Sequence, residues 1–189
     1  MEHHEVQSWC VPLDVPRETV ACCYATLSAD ERARSGRLRF AADRRRFIVA
    51  RGSLRQLLGR CLDTAPGGIR FAYNAFGKPA LSPECGSRLT FNLSHSADLA
   101  LIAIARDRDV GVDLECIRAD FDYAEIARSC FSEEELDPQT FFRYWTRREA
   151  YVKARGEGLP DDPVEICGDW SFFTLQPAPG YVGTVVVAS

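Results

Sequence analysis

The stretch Leu89-Thr-Phe-Asn-Leu-Ser-His-Ser-Ala-Asp-Leu-Ala-Leu-Ile-Ala-Ile-Ala-Arg-Asp-Arg-Asp-Val-Gly-Val-Asp-Leu-Glu115 carries three strand-like runs in close succession, residues 89–93, 99–105 and 110–115. Each is short, rich in aliphatic side chains and closed by polar or turn-forming residues, the pattern of strands rather than of a helix. The polar link from Arg106 to Asp109 is short enough for a hairpin, so the second and third runs are expected to pair. Upstream, Phe47, Leu54, Leu57, Leu58 and Leu62 fall at helical spacing with arginines between them, and Ala65-Pro66-Gly67-Gly68 ends that helix. Ser28 with Glu31 forms a capping box opening an earlier helical stretch, interrupted near Gly36. Residues 6–11 read as a strand stopped by Pro12, 69–73 as another, and 74–79 as a turn.

Downstream, a helix is expected near 123–130, and a further start signal stands at Ser132 with Glu135. A longer helix runs from about 139 to 155 and stops at Gly156; strands follow at 170–175 and 181–188. Both halves combine a long helix with strands, and no Gly-rich nucleotide loop or internal repeat is evident. The expected class is mixed α+β. The seam between halves is placed at 83–87, dividing 1–85, with its arginine-rich helix, from 86–189.

At 189 residues the chain suits one domain, or two small halves sharing a core. Its 46% hydrophobic and 26% charged residues exclude a disordered chain, a fibre and a coiled coil. The longest apolar run, 99–105, is strand-sized and too short to span a bilayer, and the acidic, polar N-terminus does not read as a signal peptide. A cytoplasmic protein with no membrane partner is expected. The eight cysteines are scattered with no C-x-x-C pair, so they read as free thiols, not as a disulfide framework or zinc site.

The net charge of −4 argues against bulk nucleic-acid binding, yet it is unevenly spread. Residues 28–60 hold ten arginines against three acids, a local charge of about +7 that leaves the remainder near −11. Such a segment is either a solvated helix face or an attractor of a phosphate-rich ligand or an acidic protein.

Three constellations carry possible chemistry. Asp113 and Glu115, two apart on a strand, share one face while Leu114 points away. Two converging carboxylates repel unless a proton or cation separates them, and oxygen donors of this kind suit Mg²⁺; the alternative is a solvated strand face. Glu149 and Lys153 lie four apart on one helix face, as a surface ion pair or as a ligand beside a cation for a leaving phosphate. The aromatics around them (Phe141, Phe142, Tyr144, Trp145, Tyr151) read as core. His95, bracketed by Ser94 and Ser96, could contact an oxyanion or be structural. A Ser94–His95–Asp98 hydrolase triad is discounted, because neighbouring strand and turn residues rarely meet that geometry and no nucleophile elbow is present.

Gly77-Lys78-Pro79, Phe91-Asn-Leu-Ser-His-Ser96, Gly111-Val-Asp-Leu-Glu115 and Trp145-Thr-Arg-Arg-Glu-Ala-Tyr-Val-Lys-Ala-Arg-Gly-Glu-Gly-Leu159, in that order, resemble the Sfp-type 4′-phosphopantetheinyl transferases over roughly residues 28–160. The resemblance implies a pseudo-dimeric α+β fold of two similar halves with the active site between them. It also implies coenzyme A and an apo acyl or peptidyl carrier protein as substrates. By the same resemblance, Asp113, Glu115 and Glu149 would hold Mg²⁺ against the coenzyme A pyrophosphate. His95 and Ser94 would contact its phosphates, with Lys78 near the nucleotide end and Arg51 and Arg44 toward the 3′-phosphate. Glu149, directly or through a metal-bound water, would take the serine proton, Lys153 would neutralise or protonate the leaving phosphate, and 3′,5′-ADP would be released. Arg148 stands where that family usually has lysine, and the chain stops soon after the last strand-like run. A monomer is expected. Two rivals remain: a metal-dependent nuclease or phosphodiesterase, which should not bind coenzyme A, and a non-catalytic homologue, which should bind it without turnover.

Overall fold

A computed structural model describes residues 6–118, 120–131, 136–158 and 164–189. Strand β1 (Gln7–Pro12) leads through helices α1 (Arg17–Thr26), α2 (Ala29–Arg37) and α3 (Ala41–Leu62) to a short hairpin, β2 (Phe71–Tyr73) and β3 (Pro79–Leu81). Then come β4 (Leu89–Ser96), β5 (Leu99–Arg106), β6 (Val110–Cys116), α4 (Ala124–Phe131), α5 (Pro138–Arg155), β7 (Trp170–Leu175) and β8 (Tyr181–Ala188). The start signal at Ser132 and Glu135 lies outside the described residues. Helix α1 has no side-chain cap, and β3 lies in what reads locally as the end of a turn; neither has a marker in the sequence.

Two three-stranded antiparallel sheets organise the molecule, ordered β1-β5-β4 and β6-β8-β7. The expected hairpin between 99–105 and 110–115 does not form. Instead β5 pairs with β1 and β4, β6 pairs with β8, and residues 107–109 carry the chain from one sheet to the other. The first sheet therefore draws β1 from before the 83–87 seam and β4 and β5 from after it. The reason lies in β5, which is apolar on both faces. Leu101, Ala103 and Ala105 pack face to face with Val110, Val112, Leu114, Val185 and Val187. Ile102 and Ile104 pack the other way, with Leu54 and Leu58 of α3 and Phe91 of β4. A strand buried on both faces must lie between layers. Here the order is α3, first sheet, second sheet, α5, so each half is a sheet backed by one long helix. This is the α+β arrangement of two similar halves expected from the sequence.

Helix α5 starts at the cap Asp137, whose carboxylate accepts from the Thr140 N–H at 3.0 Å, and ends at Gly156 with φ 72°. It lies unusually close to β6. A Cβ on Gly111 would stand 2.0 Å from the Ala150 carbonyl oxygen and 2.4 Å from the Ala154 nitrogen. The turn joining β2 and β3 clamps the far end of the same helix. Asn74 Nδ2 donates to the Gly156 carbonyl at 2.7 Å, and Lys78 Nζ donates to the Ala154 carbonyl at 2.7 Å. Of the ten arginines between 28 and 60, Arg51 and Arg55 are buried, each donating through Nε to Glu31 at 2.8 and 2.6 Å. The Ser28 N–H donates to the same carboxylate, so the capping box of α2 also anchors α3.

Gly111→Ala is expected to lower stability by about 3 kcal/mol or more, because backbone rather than a flexible side chain meets the added methyl. Gly36→Ala, on an exposed turn of α2 with open space around it, should be neutral or stabilising by up to about 1 kcal/mol. Urea denaturation midpoints compare the two directly, and equal midpoints would refute the close approach of α5 to β6.

Candidate functional site

A cleft of about 510 Å³ opens where the two halves meet. Arg34 of α2 and Phe47, Ala50 and Arg51 of α3 form one wall, and Tyr73, Gly77 and Pro79 form an end. The strands β4 and β6 supply Asn92, Leu93, Ser94, His95, Asp113 and Glu115, and α5 supplies Trp145, Glu149 and Lys153.

The floor of this cleft is built from alternation on β4. Its odd residues Leu89, Phe91 and Leu93 pack toward α3. Its even residues therefore face the second sheet, where β6 offers an edge that no strand pairs with among the described residues. Asn92 Oδ1 accepts the Val112 N–H at 3.0 Å. Ser94 Oγ donates to Asp113 Oδ1 at 2.8 Å, and Ser96 Oγ donates to Glu115 Oε2 at 2.8 Å. Side chains thus do at this seam what a backbone ladder would do inside a sheet, and they deliver both carboxylates to the cleft.

Glu149 and Lys153, one helical turn apart, come from the opposite side. The Lys153 ammonium lies 2.6 Å from Asp113 Oδ1, 3.3 Å from Ser94 Oγ and 3.7 Å from Glu149 Oε2. Burial pushes the Glu149 carboxyl above its ordinary value, with the Asp113 charge adding to the rise and Lys153 opposing it. Burial raises Glu115 as well, against the lowering effect of the Ser96 hydrogen bond. Asp113 is 2% exposed, and no described residue donates to its Oδ2.

These observations bear on whether a divalent cation fits. The described residues hold no set of three His, Cys, Asp or Glu side chains already gathered as a metal cage. The donor chemistry nevertheless suits Mg²⁺. One buried carboxylate oxygen lacks a donor, two neighbouring carboxyls are disfavoured as anions by burial, and all three acids open on one cleft.

Asp113, Glu115, Glu149, Lys153, Ser94, His95 and Arg51 are thus brought together on the cleft, while Arg44 and Lys78 are not among its lining residues. Ser94 holds a carboxylate, and His95, on the other side of the strand, is exposed. Arg51 lines the cleft while tied to Glu31 and to the Tyr73 hydroxyl, to which its guanidinium donates at 2.7 Å. Exposed Arg44 donates to the Leu38 carbonyl. Lys78 is turned to the end of α5, where burial lowers its pKa, and lines a neighbouring cavity of about 460 Å³. Asp98 takes the Arg46 guanidinium at 3.1 Å, so the discounted triad has no part in the geometry. Arg34, Phe47, Tyr73, Asn92 and Trp145 line the cleft without having been singled out for function. Asn92 and Trp145 both stand in the quoted motifs, Asn92 two residues before Ser94 on a strand and Trp145 four before Glu149 on a helix, whereas Phe47 and Tyr73 carry no such signal.

Two family models match successive parts of the chain. One for the N-terminal part of 4′-phosphopantetheinyl transferases covers residues 15–107, and one for the 4′-phosphopantetheinyl transferase superfamily covers 109–185. The chain is similar to the 4′-phosphopantetheinyl transferase HetI of Nostoc, at 39% identity over 97% of this chain and 88% of that protein. It is also similar to the 4′-phosphopantetheinyl transferase AcpT of Salmonella typhimurium, at 39% over 54% of this chain and 56% of the relative. A third similarity, 26% over 71% of this chain and 50% of the relative, is to the L-aminoadipate-semialdehyde dehydrogenase-phosphopantetheinyl transferase of Pongo abelii.

The raised carboxyls give a signed pH dependence. Glu115 and Glu149 hold protons more tightly folded than unfolded, so between their ordinary value of 4.5 and the raised folded values the native state carries the extra protons. Stability in EDTA therefore falls as pH rises through that window, and the penalty vanishes below it. Glu149→Gln should flatten this slope and raise the melting temperature at neutral pH but not below pH about 4. Thermal denaturation across pH checks it; an unchanged slope would contradict the account.

Proposed function

This chain belongs to the 4′-phosphopantetheinyl transferase superfamily, and from that premise we propose that its cleft binds coenzyme A and transfers the 4′-phosphopantetheine arm to a serine of an apo acyl or peptidyl carrier protein. The observation that carries this reading is the convergence of three carboxylates, an ammonium and two arginines on one open cleft between the halves. Such a site suits a polyanionic pyrophosphate, whose transfer demands alignment and charge neutralisation more than covalent catalysis.

In this reading Asp113, Glu115 and Glu149 would hold Mg²⁺, which when bound neutralises the pyrophosphate and polarises it toward attack. The remaining work falls to the chain. Glu149 accepts the serine proton as the hydroxyl attacks the β-phosphorus. The bond to the α-phosphate side breaks, and 3′,5′-ADP leaves with its new charge beside Lys153. Ser94 holds Asp113 in place, and exposed His95 at the cleft reaches a phosphate. Arg51, with Arg34 across the same wall, faces the nucleotide phosphate. Arg44, whose guanidinium is engaged at Leu38, attracts anionic substrate from a distance. Lys78 at the base of the nucleotide end keeps α5 and the β2–β3 turn together. Among the described residues a single chain furnishes the walls of the cleft, which supports a monomer.

Intact-mass measurement on a panel of apo carrier proteins, with coenzyme A and Mg²⁺, should show an EDTA-sensitive gain of one phosphopantetheine arm. Asp113→Ala should reduce the rate on the order of 10³-fold while leaving the fold intact. Near wild-type turnover in that variant would refute the carboxylate assignment. Failure to bind coenzyme A at all would favour a nuclease.

A further inference from the structure

We propose that Ser96 is a positioning residue for Glu115, setting the affinity of the carboxylate group for its cation; the proposal rests on the metal reading above. Ser96 lies on the same face of β4 as Asn92 and Ser94, at the end of the seam. Its hydroxyl oxygen accepts the Cys116 N–H at 3.1 Å, which fixes that oxygen against the β6 backbone. Its single proton is then directed to Glu115 Oε2 at 2.8 Å. Among the described residues this is the only side-chain hydrogen bond to Glu115, and no ion pair reaches it.

The two acids of the strand are held differently. Asp113 is short, buried and gripped by both Ser94 and Lys153. Glu115 is longer, only partly buried, and has more rotamers to lose when it is ordered. One aimed hydrogen bond removes that freedom in advance and leaves Oε1 available to a cation. Partners that orient a ligand in this way typically set metal affinity within one to two orders of magnitude.

The test uses Mn²⁺ as the probe, with free ion counted by electron paramagnetic resonance in the presence of coenzyme A. Ser96→Ala should weaken Mn²⁺ binding on the order of 10- to 100-fold and raise the Mg²⁺ concentration needed for half-maximal transfer by a similar factor. The rate at saturating Mg²⁺ should change far less, and Ser96→Thr, which keeps the hydroxyl, should restore both. Ser96→Ala in EDTA should melt somewhat below wild type, because the Cys116 N–H loses its acceptor, yet stay folded at the assay temperature. Wild-type Mn²⁺ affinity in Ser96→Ala, or failure of Ser96→Thr to restore it, would overturn the proposal and leave the metal reading standing. No Mn²⁺ binding by the wild type would overturn both.

Discussion

Two sheets meet at β4 and β6 without sharing a backbone ladder, and the polar side chains of β4 close the gap. Asn92 satisfies a backbone N–H on β6, Ser94 takes Asp113, and Ser96 takes both Glu115 and the Cys116 N–H. A buried or half-buried polar edge left unmatched costs free energy, so this seam admits one register rather than several. The register decides which residues of β6 reach the cleft. Shifted by one residue, Leu114 would face α5 and Asp113 the apolar layer. The site therefore depends on the same hydrogen bonds that hold the halves together.

Around that seam, each half contributes an element of rigidity. In the first, Glu31 collects two guanidinium groups and a backbone N–H, joining α2 to α3. Burying such a network is costly unless every group is matched. The Arg55 guanidinium also donates to the carbonyls of Pro66 and Ile69, and the Arg51 guanidinium to the Tyr73 hydroxyl. In the second half, the close approach of α5 to Gly111 fixes Glu149 and Lys153 over the strand that bears Asp113. The Lys153 ammonium then sits among acids that would otherwise repel one another. A cation is thus already part of the electrostatic design.

Much of this was legible in the sequence because it is local. The i, i+2 acids on an alternating strand, the i, i+4 pair on a helix and the Ser28–Glu31 box each express a backbone period. What could not be read depends on distant partners. The strand at 99–106 is apolar at nearly every position, so no alternation reveals its neighbours; the layers on both its faces choose them, and the expected hairpin with β6 gives way to face-to-face packing. Lys78 stands in a loop motif, yet its ammonium meets carbonyls at the far end of α5 and at Val110. The arginine-rich segment reads as an exposed positive surface, but two of its members are internal partners of Glu31. Ser96 looks equivalent to Ser94 until the β6 backbone is placed beside it.

The central claim is that the cleft at this seam holds coenzyme A with a divalent cation on Asp113, Glu115 and Glu149. A crystal of the protein with coenzyme A and Mn²⁺, measured for anomalous scattering at the manganese edge, tests it most directly. The account predicts one strong peak within ligating distance of those carboxylates and of the pyrophosphate. A peak elsewhere, or coenzyme A seated outside the cleft, would contradict it.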